Sequence, residues 1–263
     1  MTKILNSSKK ISTQTVKYIH EEHVHNFKAA EVVIPYIMQL LKPISVVDVG
    51  CGIGTWIKVF EDQGVEKVLG IDGDYVDEKL LKIEKSKFLS HDLEKDFFSK
   101  EKYDLAISLE VAEHLSIDSA VTFINTLSNL SDTVVFSAAI PNQGGQNHLN
   151  EQSPEYWITI FESLGFKMYD VFRPVFWDNK IIDVWYRQNM LLFTRDSSLF
   201  AKLDLLDNFK GKHIVHPDFF QQKENQLVFY KRQFNRINDG KKDGRVYFKL
   251  IIKYVQSRLK EKR

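Results

Sequence analysis

VVDVGCGIGTW, residues 46–56, decides the fold. A short apolar run, Ser45–Val49, ends in glycines at positions 50, 52 and 54, and a helical pattern begins at Thr55. An apolar run of this length, closed by glycine, predicts a strand buried on both faces. The glycines allow a tight turn and let the backbone touch a ligand. A G-x-G pattern alone occurs in many nucleotide enzymes. Asp48 narrows the choice, because a carboxylate at the strand end disfavours an anionic pyrophosphate and suits a ligand carrying positive charge. Its competing role is a hydrogen bond to its own loop. The third glycine also falls one residue early for the dinucleotide pattern, which sets an NAD-dependent oxidoreductase aside.

Outward from this stretch, strands alternate with helices. Strands are predicted at Val68–Ile71, Lys87–Ser90, Tyr103–Leu109, Thr133–Ala138, Phe166–Val171 and Met190–Thr194. Helices are predicted at Thr55–Gln63, Ile117–Leu130 and Pro154–Leu164, and upstream at Phe27–Leu41, where Pro43 stops the pattern. The alternation implies an α/β fold: a doubly wound, Rossmann-like, seven-stranded and mostly parallel sheet with helices on both faces. Residues 1–25 carry no pattern and are expected to be a flexible lead-in or flap. The main domain is expected over 26–195, followed by a helical C-terminal extension over 196–263. That extension has helical segments at Leu199–Leu206, Gln221–Arg236 and Val246–Leu259. In the last, Tyr247, Leu250, Ile251, Tyr254 and Val255 share a face, expected to pack against the main domain rather than hold a partner.

Composition sets limits. The 263 residues carry 36 basic and 35 acidic side chains, a net charge of +1, so a strongly basic nucleic-acid binder is not expected. Cys51 is the sole cysteine, which excludes an internal disulfide and a cysteine-rich metal site. No apolar run reaches the about 18 residues of a membrane span, and no signal peptide is visible. The expectation is a cytoplasmic monomer or homodimer. His213 and His216 stand three apart with no evident carboxylate partners, so no metal site is expected there or elsewhere.

Acidic residues recur at strand ends. Asp72, in LGIDGD, closes the second strand 22 residues beyond Gly50, close to the spacing of about 20 for a ribose-binding acid. Its alternative is a turn residue, with Asp74 nearby as a decoy. Asp92 follows the third strand in LSHDLEKDF and can accept from an adenine amino group or cap a helix. The fourth strand leads into YDLAISLEVAEHL, residues 103–115, delivering Glu110, Glu113 and His114 where such sheets open their ligand crevice. Glu110 and His114 would share a face if this segment turned helically. Glu110 reads as a pocket wall and Glu113 as an acceptor contact. His114 reads as a general base or as a helix brace.

DVGCGIGTW, GIDGD, the Asp-Leu pair after strand three and LEVAEHL resemble, in order, the motifs of the class I S-adenosylmethionine-dependent methyltransferases. The resemblance covers about Ser45 to Thr194. It implies a seven-stranded sheet whose last strand is antiparallel. It also implies S-adenosylmethionine as cofactor and S-adenosylhomocysteine as product. Within it, Asp48 and Gly50, Gly52 and Gly54 hold the methionine end, Asp72 the ribose and Asp92 the adenine amino group. The motif residues Cys51, Trp56, Gly73, Leu93 and Glu110 belong to the same cofactor site.

The loop AAIPNQGGQNHLNEQSPEYW, residues 138–157, resembles a bacterial subgroup with a His-x-Asn-Glu element, and Trp185–Asn189 matches a later run of that subgroup. Such proteins are associated with surface-polysaccharide genes, which implies a sugar, nucleotide sugar, or phosphorylated or phosphoramidate precursor as acceptor. From the residues themselves, His148 is the second candidate base. Asn150, Glu151 and Arg187 are candidate polar contacts, and Tyr156 and Trp157 a candidate aromatic wall. The competing roles are loop bracing for His148, helix core for the two aromatics and a surface ion pair for Arg187. The expected function is O-methylation. The alternatives are a small-molecule methyltransferase of secondary metabolism and a non-catalytic cofactor-binding scaffold.

Overall fold

The computed structural model describes residues 26–207 and 214–261. The expected lead-in and His213 lie outside the described residues, as does the side chain of Val255. Seven strands form one sheet: β1 (Ser45–Val49), β2 (Lys67–Asp72), β3 (Phe88–Ser90), β4 (Leu105–Leu109), β5 (Thr133–Ser137), β6 (Lys167–Tyr169) and β7 (Leu191–Thr194). Their order is β3-β2-β1-β4-β5-β7-β6. Neighbours from β3 through β5 pair in parallel, and β7 runs antiparallel between β5 and β6. The strand order reverses at β1, so the crevice opens above the carboxyl ends of β1 and β4.

Helices cover both faces because successive strand residues point to opposite sides. Val46, Leu105, Ile107, Val135 and Leu192 join one core, with α1 (Lys28–Leu41) and α2 (Thr55–Asp62). Val47, Ala106, Val134, Phe136, Leu191 and Phe193 join the other, with α3 (Ala120–Leu130) and α4 (Pro154–Ser163). Two short helices, α5 (Arg173–Phe176) and α6 (Val184–Asn189), occupy a stretch where no element is predicted. Six residues or fewer are too short to show a helical period. The α7 helix (Phe200–Leu206) buries Leu203 in the first core. The first compact unit runs to Ile214.

A second unit, Val215–Arg263, holds α8 (Pro217–Asn238) and α9 (Gly244–Glu261). The ring of His216 accepts from the Asp218 N–H at 3.1 Å and caps α8. The Tyr247 hydroxyl donates to the Ile237 carbonyl at 2.8 Å, tying the start of α9 to the end of α8. Leu250, Ile251 and Tyr254, of the face expected to be packed, are exposed. Among the described residues no helix is long and apolar enough to cross a membrane.

Among the described residues, the ion pair of Arg173 with Asp170 is internal. Arg173 Nε and Nη2 both reach Asp170 Oδ2 at 2.7 Å, with the side chains 2% and 0% exposed. Removing one member of such a pair leaves the other charge desolvated. Arg173→Ala is therefore expected to destabilise the chain by about 3–5 kcal/mol, measured as urea midpoint and slope. A loss below about 1 kcal/mol would show that Asp170 finds other partners.

Candidate active site

The loop after β1 is built on positive φ. Gly50, Gly52 and Gly54 have φ of 86°, 53° and 82°, a region open to glycine and strained for other residues. At Gly50 a Cβ would also collide with the side chain of Val111. The Gly50 N–H donates to the Ile71 carbonyl at 2.7 Å, holding the loop against the end of β2. Asp72 completes the tie: one oxygen accepts from Gly52 N–H and the other from Gly73 N–H, both at 2.6 Å. Each carboxylate oxygen retains a second lone pair, so this anchoring is compatible with accepting from a ribose.

Asp48 lies buried beneath this loop. Burial first, and then the charge of Asp72, push its carboxyl well above the ordinary carboxylate range. The site thus holds an excess of buried acid that a cationic ligand relieves. Burial likewise pushes the Cys51 thiol up, and its sulfur sits where a Cβ on Gly70 would fall. Cys51 is a packing residue of the site floor. Trp56 packs edge-on against Tyr186 at 5.1 Å.

Glu110 follows β4 directly with φ 56°, an unusual conformation for a non-glycine residue. Its N–H donates to Ser137 of β5. Its carboxyl oxygens accept from Gln143 Nε2 at 2.7 Å and from Asn189 Nδ2 at 3.0 Å. Burial pushes this carboxyl up, opposed by those hydrogen bonds. The turn that follows is 3₁₀, Ala112–His114, so Glu110 and His114 do not share one helical face as expected. Gln143 and Asn189 are site residues that no local sequence signal reveals, because they meet Glu110 across 33 and 79 residues.

The 3₁₀ turn and the loop after β5 meet. Leu149 and Asn150 both donate their N–H groups to the Glu113 carbonyl, at 2.7 and 3.0 Å. The rings of His114 and His148 consequently stand edge to face, 4.9 Å between centroids. His148 Nδ1 pairs with Glu151 at 2.7 Å. The same carboxylate accepts from the N–H groups of Asn142 and Gly144, at 2.7 and 2.5 Å. Glu113 is buried, and no hydrogen bond of good geometry satisfies either of its carboxyl oxygens. Burial and the charge of Glu110 push that carboxyl well up.

Several expected contacts have other occupations. Both Glu151 oxygens hold the loop and His148. Arg187 is buried, donating from Nε to the Ile182 carbonyl and from Nη1 to the Trp177 carbonyl, both at 2.9 Å. It is an internal brace rather than an anion receptor or a surface ion pair. Trp157 is buried in the second core against Phe136, with Tyr156 packed edge-on beside it. Asp92 caps a turn through Glu94 N–H and pairs with Lys95, which lowers its carboxyl. Leu93 is core. Asn150 stays with the histidine pair. Its Oδ1 accepts from Gln152, and its buried Nδ2 has no acceptor among the described residues.

The methyltransferase domain family matches residues 21–171, more than half of the chain, and the chain belongs to it. It is a methyltransferase with S-adenosylmethionine as donor. The residues present fit that donor, with a loop free of side chains at three glycines and two buried acids for a ligand of positive charge. No curated protein matches the chain. Solved structures resemble its fold at low identity. The methyltransferase domain of a bacterial CtHen1 has 18% identity and TM-score 0.45, covering 64% of this chain and 100% of that one. Magnesium protoporphyrin IX methyltransferase (ChlM) from Synechocystis PCC 6803, solved with bound SAM, has 19% identity and TM-score 0.46, covering 66% and 81%. Streptomyces venezuelae DesVI has 11% identity and TM-score 0.48, covering 65% and 93%.

Folded Asp48 holds its proton more tightly than the unfolded chain does. It therefore favours folding at low pH and opposes it as pH climbs past about 3.9 towards its own raised value. Asp48→Asn removes that opposition. The variant's thermal midpoint is expected to exceed the parent's at neutral pH, with the gap narrowing on acidification. A gap independent of pH, in calorimetric scans from about pH 8 to 5, would contradict the assignment. Asp72→Ala is expected to weaken S-adenosylmethionine binding about 10- to 100-fold by isothermal calorimetry, since it releases the loop that Asp72 ties through Gly52 and Gly73.

Proposed function

We propose that the chain methylates a hydroxyl oxygen of a small polar acceptor, of the class from which surface glycans are assembled. The His114–His148 pair beside the donor loop carries this reading. The Glu151 carboxylate only accepts, so Nδ1 of His148 holds the proton and Nε2 is left with the lone pair a base requires. The unsatisfied Nδ2 of Asn150 supplies a donor for an acceptor oxygen. S-adenosylmethionine supplies an activated methyl on a sulfonium, which is already a good leaving group. The protein's contribution is to align the acceptor oxygen with that methyl, exclude water and take the hydroxyl proton. Asp48 and the glycine loop would hold the methionine end, Asp72 the ribose, and Leu93 with Asp92 the adenine side.

With Arg187 turned inward, a neutral sugar or nucleotide-sugar hydroxyl fits better than a phosphate or phosphoramidate oxygen. A place in capsule or surface-polysaccharide synthesis rests on the likeness of the His148-Leu149-Asn150-Glu151 and Trp185–Asn189 segments alone.

His148→Ala is expected to lower turnover about 10²- to 10⁴-fold with S-adenosylmethionine binding unchanged. The readout is S-adenosylhomocysteine formed from a panel of sugars, nucleotide sugars and sugar phosphates. Turnover of amine acceptors alone, or full turnover by both His148→Ala and His114→Ala, would overturn O-methylation with a histidine base.

A further inference from the structure

We infer that Glu113, His114 and His148 form a binding site for one divalent first-row transition cation, such as Mn²⁺, Fe²⁺ or Zn²⁺. The inference deepens the proposed O-methylation and rests on it: with the cation bound, Nε2 of His148 is a ligand and the coordinated hydroxyl sheds its proton to water, whereas without the cation that nitrogen is the base.

Four observations converge. One carboxyl oxygen of Glu113 and one nitrogen from each ring all lie within 4.8 Å of one another. Ligand atoms around a cation bound at about 2.1 Å stand roughly 3–3.4 Å apart, so the set closes on an ion by small side-chain rotations. Glu113 is 1% exposed, and among the described residues no hydrogen bond of good geometry reaches either carboxyl oxygen. A buried carboxyl in that state is costly in a folded protein unless something else completes it. His148 is held at Nδ1 by Glu151, and this carboxylate–histidine arrangement orients a metal-binding imidazole and fixes Nε2 as its free nitrogen. Finally, the lack of a side chain at Gly145 leaves room for the ring of His148, with which a Cβ there would collide.

Two imidazoles with one carboxylate favour a borderline transition ion over Mg²⁺ or Ca²⁺, which prefer all-oxygen shells. Three protein ligands leave coordination positions open for an acceptor oxygen. A hydroxyl bound there loses its proton to water more readily. The oxygen lone pair then forms the bond to the methyl carbon as the carbon–sulfur bond breaks, and that electron pair stays on sulfur. The products are the methyl ether, S-adenosylhomocysteine and one proton. Glu113 and His114 are adjacent, but nothing local in the sequence joins them to His148, which comes from a different strand end.

The test is a Co²⁺ titration of the full chain after chelator treatment, without donor or acceptor, followed by visible absorption and calorimetry. One equivalent is expected to bind at micromolar dissociation constant. Glu113→Gln and His148→Ala are each expected to weaken it at least tenfold, and Glu151→Gln, which acts only through His148, about 10- to 100-fold. S-adenosylmethionine calorimetry on the same proteins reports whether each variant is folded. His114→Ala replaces any that is not. A parent chain that takes up no Co²⁺ at about 1 mM, or folded variants that bind it as the parent does, overturns the site. Either result leaves histidine-base O-methylation standing, because that is read from turnover.

Discussion

The carboxylate of Asp72 is the tie on which the cofactor half depends. It sits at the end of β2, yet it accepts from Gly52 in the loop after β1 and from Gly73 beyond its own strand. Parallel strands have no hairpin to fix their ends relative to each other. Here a single buried anion does so, and three left-handed glycines let the loop come within its reach. Asp48 then lies under the same loop, close enough to Asp72 for its charge to be disfavoured. The donor site is therefore a place where negative charge is concentrated and partly suppressed. A ligand of positive charge is what such an arrangement accommodates.

The acceptor half follows a different rule. It is held together by polar groups from distant parts of the chain, because β4, β5 and α6 all end at the same edge of the sheet. Glu110 gathers Gln143 and Asn189, and Gln143 and Asn189 also bond each other at 2.9 Å. The backbone strain at Glu110, of order 1–3 kcal/mol for such conformations, is offset by these hydrogen bonds. Glu151 performs the equivalent task for the loop that carries His148.

The strand–loop–helix at residues 45–62 was legible because it is local: apolar run, glycines and helical period all lie within one turn of the fold. The remaining strands were legible to within two or three residues for the same reason, and the places of Asp48, Asp72 and Glu110 because each stands at or next to a strand end. Arg187 and Glu151 were not. An arginine that bonds main-chain carbonyls and one that faces solvent look alike in sequence, and a glutamate that braces its loop looks like one that awaits a ligand. Gln143 and Asn189 were missed because their partner is remote. The short α5 and α6 offered no periodicity, and Trp157 satisfied both a wall and a core reading until its burial separated them.

The Glu113 carbonyl accepts from two successive amides of the opposite loop. That bifurcated clasp joins the two histidine-bearing segments through main chain alone. Replacing either imidazole therefore leaves the scaffold beneath it in place, so the two rings can be exchanged one at a time without parting the loops that carry them.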